Sequence, residues 1–183
     1  MQSLSFPLRS TFLALPLEAE AREHFRVLQK KLSPFREMFS FQNPDSPHLT
    51  LQYWSAISQS EYQEIISTTS IVAAKVRPFS VIVNGAATFG SQDGDRVLFL
   101  TLEVCSELSS LQQLLPWKNP KPFHAHVTLA RMHHPEHFMK RKKEIMQYFQ
   151  DIRIEARIDR IRLYAIVHGK RQTPLQDFPF SAH

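Results

Sequence analysis

The chain has almost no cysteine: a single residue, Cys105, among 183. A lone thiol forms no intramolecular disulfide and no cysteine-based zinc site. Cys105 follows the apolar run Val97 to Val104, where it reads as a small core filler. Glycine is scarce as well, 4 residues against 12 prolines, which excludes collagen-like and glycine-linker designs. No stretch approaches the ~20 apolar residues of a membrane span. Met1 to Pro7 carries neither a long apolar segment nor the basic cluster of a secretory leader. The expectation is a cytoplasmic protein with no membrane attachment. Neither sign of charge dominates: 22 Lys+Arg stand against 17 Asp+Glu, a net +5. That suits an anionic partner such as RNA without requiring one.

What is present is an ordinary globular mixture, 43% hydrophobic and 21% charged. It is enough to bury a core in one domain spanning 1–183, or in two lobes sharing that core. Ser10 to Leu15 reads as a short strand closed by Pro16. Leu17 to Leu32 repeats apolar residues at Ala21, Phe25, Leu28 and Leu32, with Glu18 and Glu20 early and Lys30 and Lys31 late, as a helix dipole prefers. A proline-marked loop leads to a strand from His48 to Trp54 and a helix from Ser60 to Lys75. Phe79 to Val83 is a further strand, and Asn84-Gly85 reads as a turn. Arg96 to Val104 is a strongly apolar strand, and Ser106 caps a helix to Leu115. A second loop, with Pro116, Pro120 and Pro122, precedes a strand from Ala125 to Ala130. The helix Pro135 to Gln150, the alternating segment Ile152 to Ile158 and the strand Ile161 to Val167 close the pattern before the Gly169 turn.

This order occurs twice: strand, helix, proline-rich loop, strand, helix, strand. Phe12 to Leu15 corresponds to Phe99 to Leu102, and His48-Leu49-Thr50-Leu51 to His126-Val127-Thr128-Leu129. Two units point to a duplication, not to a solenoid, which needs three or more. The expected architecture is α+β: two lobes related by a pseudo-two-fold axis, two antiparallel sheets around a central cleft, and helices outside.

On a strand, residues i and i+2 share a face. His48 and Thr50 therefore point one way while Leu49 and Leu51 anchor the strand. The same parity pairs His126 with Thr128. A lone His-x-Thr is more often a satisfied core histidine. Two copies with apolar residues at both intervening positions are expected by chance in roughly 3 of 1,000 such chains, and here they fall at matching places. Imidazole is the side chain that serves as base or acid near neutral pH. Across a cleft, one ring can take a proton from an attacking water while the other protonates a leaving alkoxide. Phosphodiester hydrolysis needs that division, and threonine hydroxyls can hold the charged non-bridging oxygens. The scheme requires no metal and no other cofactor.

At these residues the chain resembles the 2H phosphoesterases, and among them the RNA 2′,3′-cyclic phosphodiesterases historically called 2′-5′ RNA ligases. The likeness extends from the strand Arg9 to Leu15 through both motifs, the second with its trailing Arg131, to Leu163-Tyr164 and Phe178-Pro179-Phe180. It implies a bilobal α+β fold and a substrate that is RNA, or a nucleotide, ending in a cyclic phosphate, with a 2′-phosphate as product. A 2′-5′ phosphodiesterase or ligase activity and a non-catalytic nucleotide-binding module are the alternatives. The implied roles are His48 as proton donor to the leaving 3′-oxygen, His126 as base, Thr50 and Thr128 as phosphate contacts, and Arg131 as a further one. No obligatory protein partner is evident. The chain departs from the family habit at Ala125, where Asn or Pro is common, and at Gln52-Tyr53-Trp54-Ser55, where a glycine often follows. Parity also places Arg131, five residues from His126, on the opposite face unless the strand ends or bulges near Ala130.

Other features compete. His124, His126, His133, His134 and His137 invite a zinc reading, yet no carboxylate appears in a ligand-like pattern with them, and His133-His134-Pro135 reads as a loop entering a helix. The basic run Lys140 to Lys143 reads as a solvated helix face. Phe41, Tyr53, Trp54, Trp117 and Phe123 lie near the motifs, where one or two could stack on bases and most would anchor core or loops.

Overall fold

The computed structural model describes residues 4–91, 94–103, 105–117 and 122–181. Val104 and Pro120, used in the reading above, lie outside the described residues. The elements run β1 (Leu8–Pro16), α1 (Ala19–Lys31), a 3-10 turn (Ser33–Met38), β2 (Phe39–Phe41), β3 (His48–Ile57), α2 (Gln59–Ala73), β4 (Phe79–Ser91) and β5 (Gly94–Leu102). They continue with α3 (Ser106–Leu114), β6 (His126–Met132), α4 (Pro135–Gln147), β7 (Ile154–Ile158), β8 (Arg160–Val167) and β9 (Lys170–Pro179).

The strands form one curled antiparallel sheet in the order β7-β4-β5-β6-β3-β1-β8-β9, with β2 added to β6. The two expected sheets are its two halves, β7-β4-β5-β6 and β3-β1-β8-β9. They meet through a single register pair, Leu49 opposite Val127. Each sequence repeat also lends its third strand to the other half: β4 pairs with β5, and β8 with β1. β4 and β5 are consecutive antiparallel strands, so there the exchange is the short connection.

Helix α1 keeps Ala21, Phe25 and Leu28 buried at the expected spacing, with Lys30 and Lys31 in its last turn. Helix α2 begins at Gln59, one residue before the expected Ser60. Ser58 is the N-cap, accepting from the Glu61 amide while the Glu61 carboxylate accepts from the Ser58 amide, a reciprocal capping box. Ser106 is the first residue of α3, and Cys105 is its N-cap without a side-chain bond. Cys105 is half-buried against the core as a free thiol.

Asn84-Gly85 is not a turn but the middle of β4. The register shifts between Val83 and Gly85, so the pair marks a bulge. Asn84 Oδ1 accepts from Thr101 Oγ1 at 2.9 Å, and a Cβ at Gly85 would stand 3.1 Å from that same hydroxyl. β7 shows the expected alternation, with Ile154, Ala156 and Ile158 buried. β9 escapes the sequence pattern because it is an edge strand, mostly polar and interrupted by Pro174. One core runs beneath both halves and includes Leu49, Leu51, Val127 and Leu129. Full burial of such side chains is worth about 1.5–3 kcal/mol each, so the residues between the motif positions clamp the strands that carry them.

Candidate active site

β3 begins at His48 and β6 at His126. With Leu49 paired to Val127 in an antiparallel register, His48 is set towards Thr128 and Thr50 towards His126. The four residues form a two-by-two block about the local two-fold axis. All four line one cleft of about 450 Å³. The single ladder pair lets β3 and β6 diverge on either side of it, which opens the cleft.

The two histidines are held alike. His48 Nδ1 lies 2.7 Å from the Ser46 carbonyl oxygen, and His126 Nδ1 lies 2.7 Å from the His124 carbonyl oxygen. A carbonyl only accepts, so each Nδ1 carries the hydrogen, and in the neutral ring Nε2 keeps a free lone pair. Their surroundings differ. His48 is 7% exposed, whereas His126 is half-buried. Desolvation pulls His48 down to about 4, opposed by the Ser46 bond and aided by the proximity of His126. His126 is also lowered, first by burial, against its bond to His124 and with help from the His124 charge.

Aromatic rings floor both sides. Phe12 stacks on His48 with centroids 4.9 Å apart, and Tyr164 stacks on Phe12 at 4.9 Å. Phe89 and Phe99 meet His126 edge-on at 5.0 and 5.4 Å. Register makes Tyr164 and Phe89 counterparts but shifts the expected equivalence of Phe12 and Phe99 by two residues. Ala14 faces Thr50 as Phe99 faces Thr128. A shift of two preserves the face, so both phenylalanines still reach a histidine.

Arg131 lines the cleft. Parity alone turns it away, but the β5–β6 register passes from Leu98–Ala130 to Phe99–Thr128, stepping over Leu129. This bulge buries Leu129 and Ala130 in succession and returns Arg131 to the histidine face. The Leu129 carbonyl accepts from the Gln42 amide at 2.9 Å and from Gln29 Nε2 of α1 at 3.0 Å. The first motif has the same device. Leu13 pairs with Gln52 and Ala14 with Thr50, two residues of β3 against one of β1, and Tyr53 swings into the cleft. Tyr53 is therefore the counterpart of Arg131. It is 53% exposed, and its hydroxyl lies 3.3 Å from Ser10 Oγ.

The remaining lining includes Gln42, Ile166, Arg171 and Gln172, and among the described residues it contains no Asp or Glu. Two histidines, two arginines and no described carboxylate give the lining a positive bias and two rings that can carry protons. Sequence reasoning missed Ser10, Gln42, Ile166, Arg171 and Gln172. Only the alternation of β1 and β8 could have pointed to Ser10 and Ile166.

The other candidates fall elsewhere. His124 is exposed and lines a neighbouring cavity with Phe123. Trp54 and Trp117 pack on each other at 5.3 Å beside the core, and Phe41 packs on Phe39. In the basic run, Lys142 pairs with Asp95 and Arg141 with Glu144 on α4. The His-rich stretch does acquire a carboxylate, contrary to the sequence reading. Ligand atoms of His134, Glu136 and His137 lie within 4.8 Å of one another, all exposed, at the start of α4. The positive end of the helix and the lysines that follow disfavour a cation there.

The chain belongs to the 2′-5′ RNA ligase superfamily, whose sequence profile matches residues 16–170. The resemblance to 2H phosphoesterases is thereby borne out. An RNA 2′,3′-cyclic phosphodiesterase of Geobacillus stearothermophilus is 24% identical over 128 residues, covering 66% of this chain and 41% of the relative. One of Aquifex aeolicus is 27% identical over 114 residues, covering 56% of this chain and 60% of the relative. The chain thus spans roughly half the length of these relatives. The fold matches TT0787 of Thermus thermophilus with a TM-score of 0.71 at 22% identity, covering 93% of this chain and 97% of that one. It matches E. coli LigT complexed with 3′-AMP at 0.67 and 23% identity, covering 96% and 99%. Among the described residues no helix is long and apolar enough to cross a membrane.

Proposed function

We propose that the protein hydrolyses RNA ends bearing a 2′,3′-cyclic phosphate, leaving a 2′-phosphate, by two-histidine acid–base catalysis without a metal. The observation that carries this reading is the block of His48, Thr50, His126 and Thr128, with both Nε2 atoms available in a cleft that also holds Arg131 and, among the described residues, no carboxylate.

In this scheme Thr50, Thr128 and Arg131 hold the non-bridging oxygens. His126, the more solvated ring, takes a proton from water as its oxygen attacks phosphorus. His48, protonated in the presence of the bound anion, gives its Nε2 proton to the 3′-oxygen as the P–O3′ bond breaks. One water is consumed, and the pair ends with its protons exchanged. A ring whose free-state value is about 4 is a strong acid towards an alkoxide once the anion has drawn a proton to it. With a 5′-hydroxyl in place of water, the same steps form a 2′-5′ linkage.

The test is turnover of a nucleoside 2′,3′-cyclic phosphate in excess EDTA, with the product identified as 2′- or 3′-phosphate. Turnover to the 2′-phosphate is expected. No turnover would leave a binding module, and rescue by zinc would return attention to His134, Glu136 and His137.

A further inference from the structure

The cleft holds more positive charge than one cyclic phosphate uses. That group is a monoanion, and Arg131 stands on the same strand as His126 and Thr128, next to where it would sit. Arg171 is the second cleft guanidinium, on the β8–β9 hairpin of the other half. Arg131 on β6 and Arg171 on β9 are four strand spacings apart in the sheet order, about 19 Å along the sheet at ~4.8 Å each, so the two guanidiniums approach the shared cleft from different halves.

Most arginines near this half are neutralised. Arg162 is bound by Asp177 and Glu18, and Arg160 by Asp159 and Asp177. Among the described residues no carboxylate pairs with Arg171, which is exposed. The hairpin is shaped to present it. His168 (φ 50), Gly169 (φ 75) and Gln172 (φ 55) adopt the left-handed region, which costs a non-glycine residue about 1–2 kcal/mol. The β8–β9 register shifts between Ala165 and Val167, and Arg171 and Gln172 come to lie beside Ile166 at the cleft. Tyr53 stands across the same shelf.

Resting on the functional reading above, we infer that Arg171 binds the next phosphodiester of the RNA chain, so that the preferred substrate is an oligonucleotide end and not a mononucleotide. The shelf between the reacting phosphate and Arg171 then seats one nucleotide. Arg171 touches no reacting atom and sets specificity.

The test compares kcat/KM for three substrates: a nucleoside 2′,3′-cyclic phosphate, a dinucleotide with the same cyclic end, and that dinucleotide with a neutral methylphosphonate as its internal linkage. The wild type is expected to favour the charged dinucleotide over both others by about 10-fold or more, a preference eroded by salt. In Arg171→Gln the ratio should fall towards one, and Arg171→Lys should restore part of it. Equal turnover of charged and neutral dinucleotides by the wild type, or an unchanged ratio in Arg171→Gln, would overturn the inference while leaving the hydrolase reading intact. If no cyclic phosphate is turned over, equilibrium binding of a 2′-phosphorylated dinucleotide decides. Binding weakened by Arg171→Gln supports the subsite without the reaction, and binding indifferent to it removes both.

Discussion

His48 and His126 each spend one ring nitrogen on a backbone carbonyl two residues earlier, so the imidazole is aimed by its own chain before any substrate arrives. Under the proposed mechanism, removing either ring removes a general acid or base, which contributes 10²–10⁴-fold. His48→Ala and His126→Ala are each expected to lower kcat by about that factor in a cyclic-phosphate assay. The double variant should be little worse than either single one, because a lone proton carrier has no complement. Thr50→Ala and Thr128→Ala should cost less, each losing one phosphate contact. The pH dependence follows from burial. The productive free enzyme carries one proton on the pair, which titrates as a unit. With His48 near 4 and His126 below its usual 6.5, kcat/KM should peak between those values and fall as pH rises beyond 6.5. The bound phosphate anion stabilises imidazolium, so kcat should peak at higher pH. A kcat/KM maximum above pH 7.5 would contradict the burial argument.

Strand parity made the four motif residues legible at the level of single elements, because hydrophobic Leu49, Leu51, Val127 and Leu129 state which face is the core. It could not place Arg131 or Tyr53. Both depend on a bulge, and no bulge is announced by Leu51-Gln52 or Leu129-Ala130, which are ordinary strand residues. What holds the second bulge is remote in sequence: Gln29, 8% exposed on α1, whose amide reaches the Gln42 and Leu129 carbonyls. A glutamine in a helix's apolar stripe gives no sign that its partner lies 100 residues on. Conversely, Asn84-Gly85 announced a turn and delivered a bulge, since the chain pairs on both sides of it. Arg131→Ala should cut kcat/KM about 10- to 100-fold, the value of a charged hydrogen bond of ~1.5–3 kcal/mol. Gln29→Leu should raise KM in the same direction without moving the pH profile. It should also lower Tm by several degrees, because buried carbonyls lose a donor. An unchanged KM in Gln29→Leu would show that the bulge stands without it.

Across the whole molecule the same buried ring sets acid stability. His48 titrates near 6.5 when unfolded and about 4 when folded, so between those values the unfolded chain binds more protons. Its contribution is complete above pH 6.5 and is lost as pH falls towards 4. The gap is worth about 3 kcal/mol as an order of magnitude. Urea melts at pH 7 and pH 4.5 should differ by up to that amount, and His48→Phe should flatten the difference. An identical slope in the variant would place the acid sensitivity elsewhere.

The two-by-two block has a consequence for orientation. A substrate end is chiral and directional, whereas the block maps onto itself under a half-turn, so on those four residues alone it could dock equally well in either of two poses. The choice falls to positions that the duplication no longer matches: Tyr53 against Arg131, a nearly sealed His48 against a half-open His126, and a hairpin bearing Arg171 on one side only. Divergence at a few sites around an unchanged centre is what gives this cleft a front and a back.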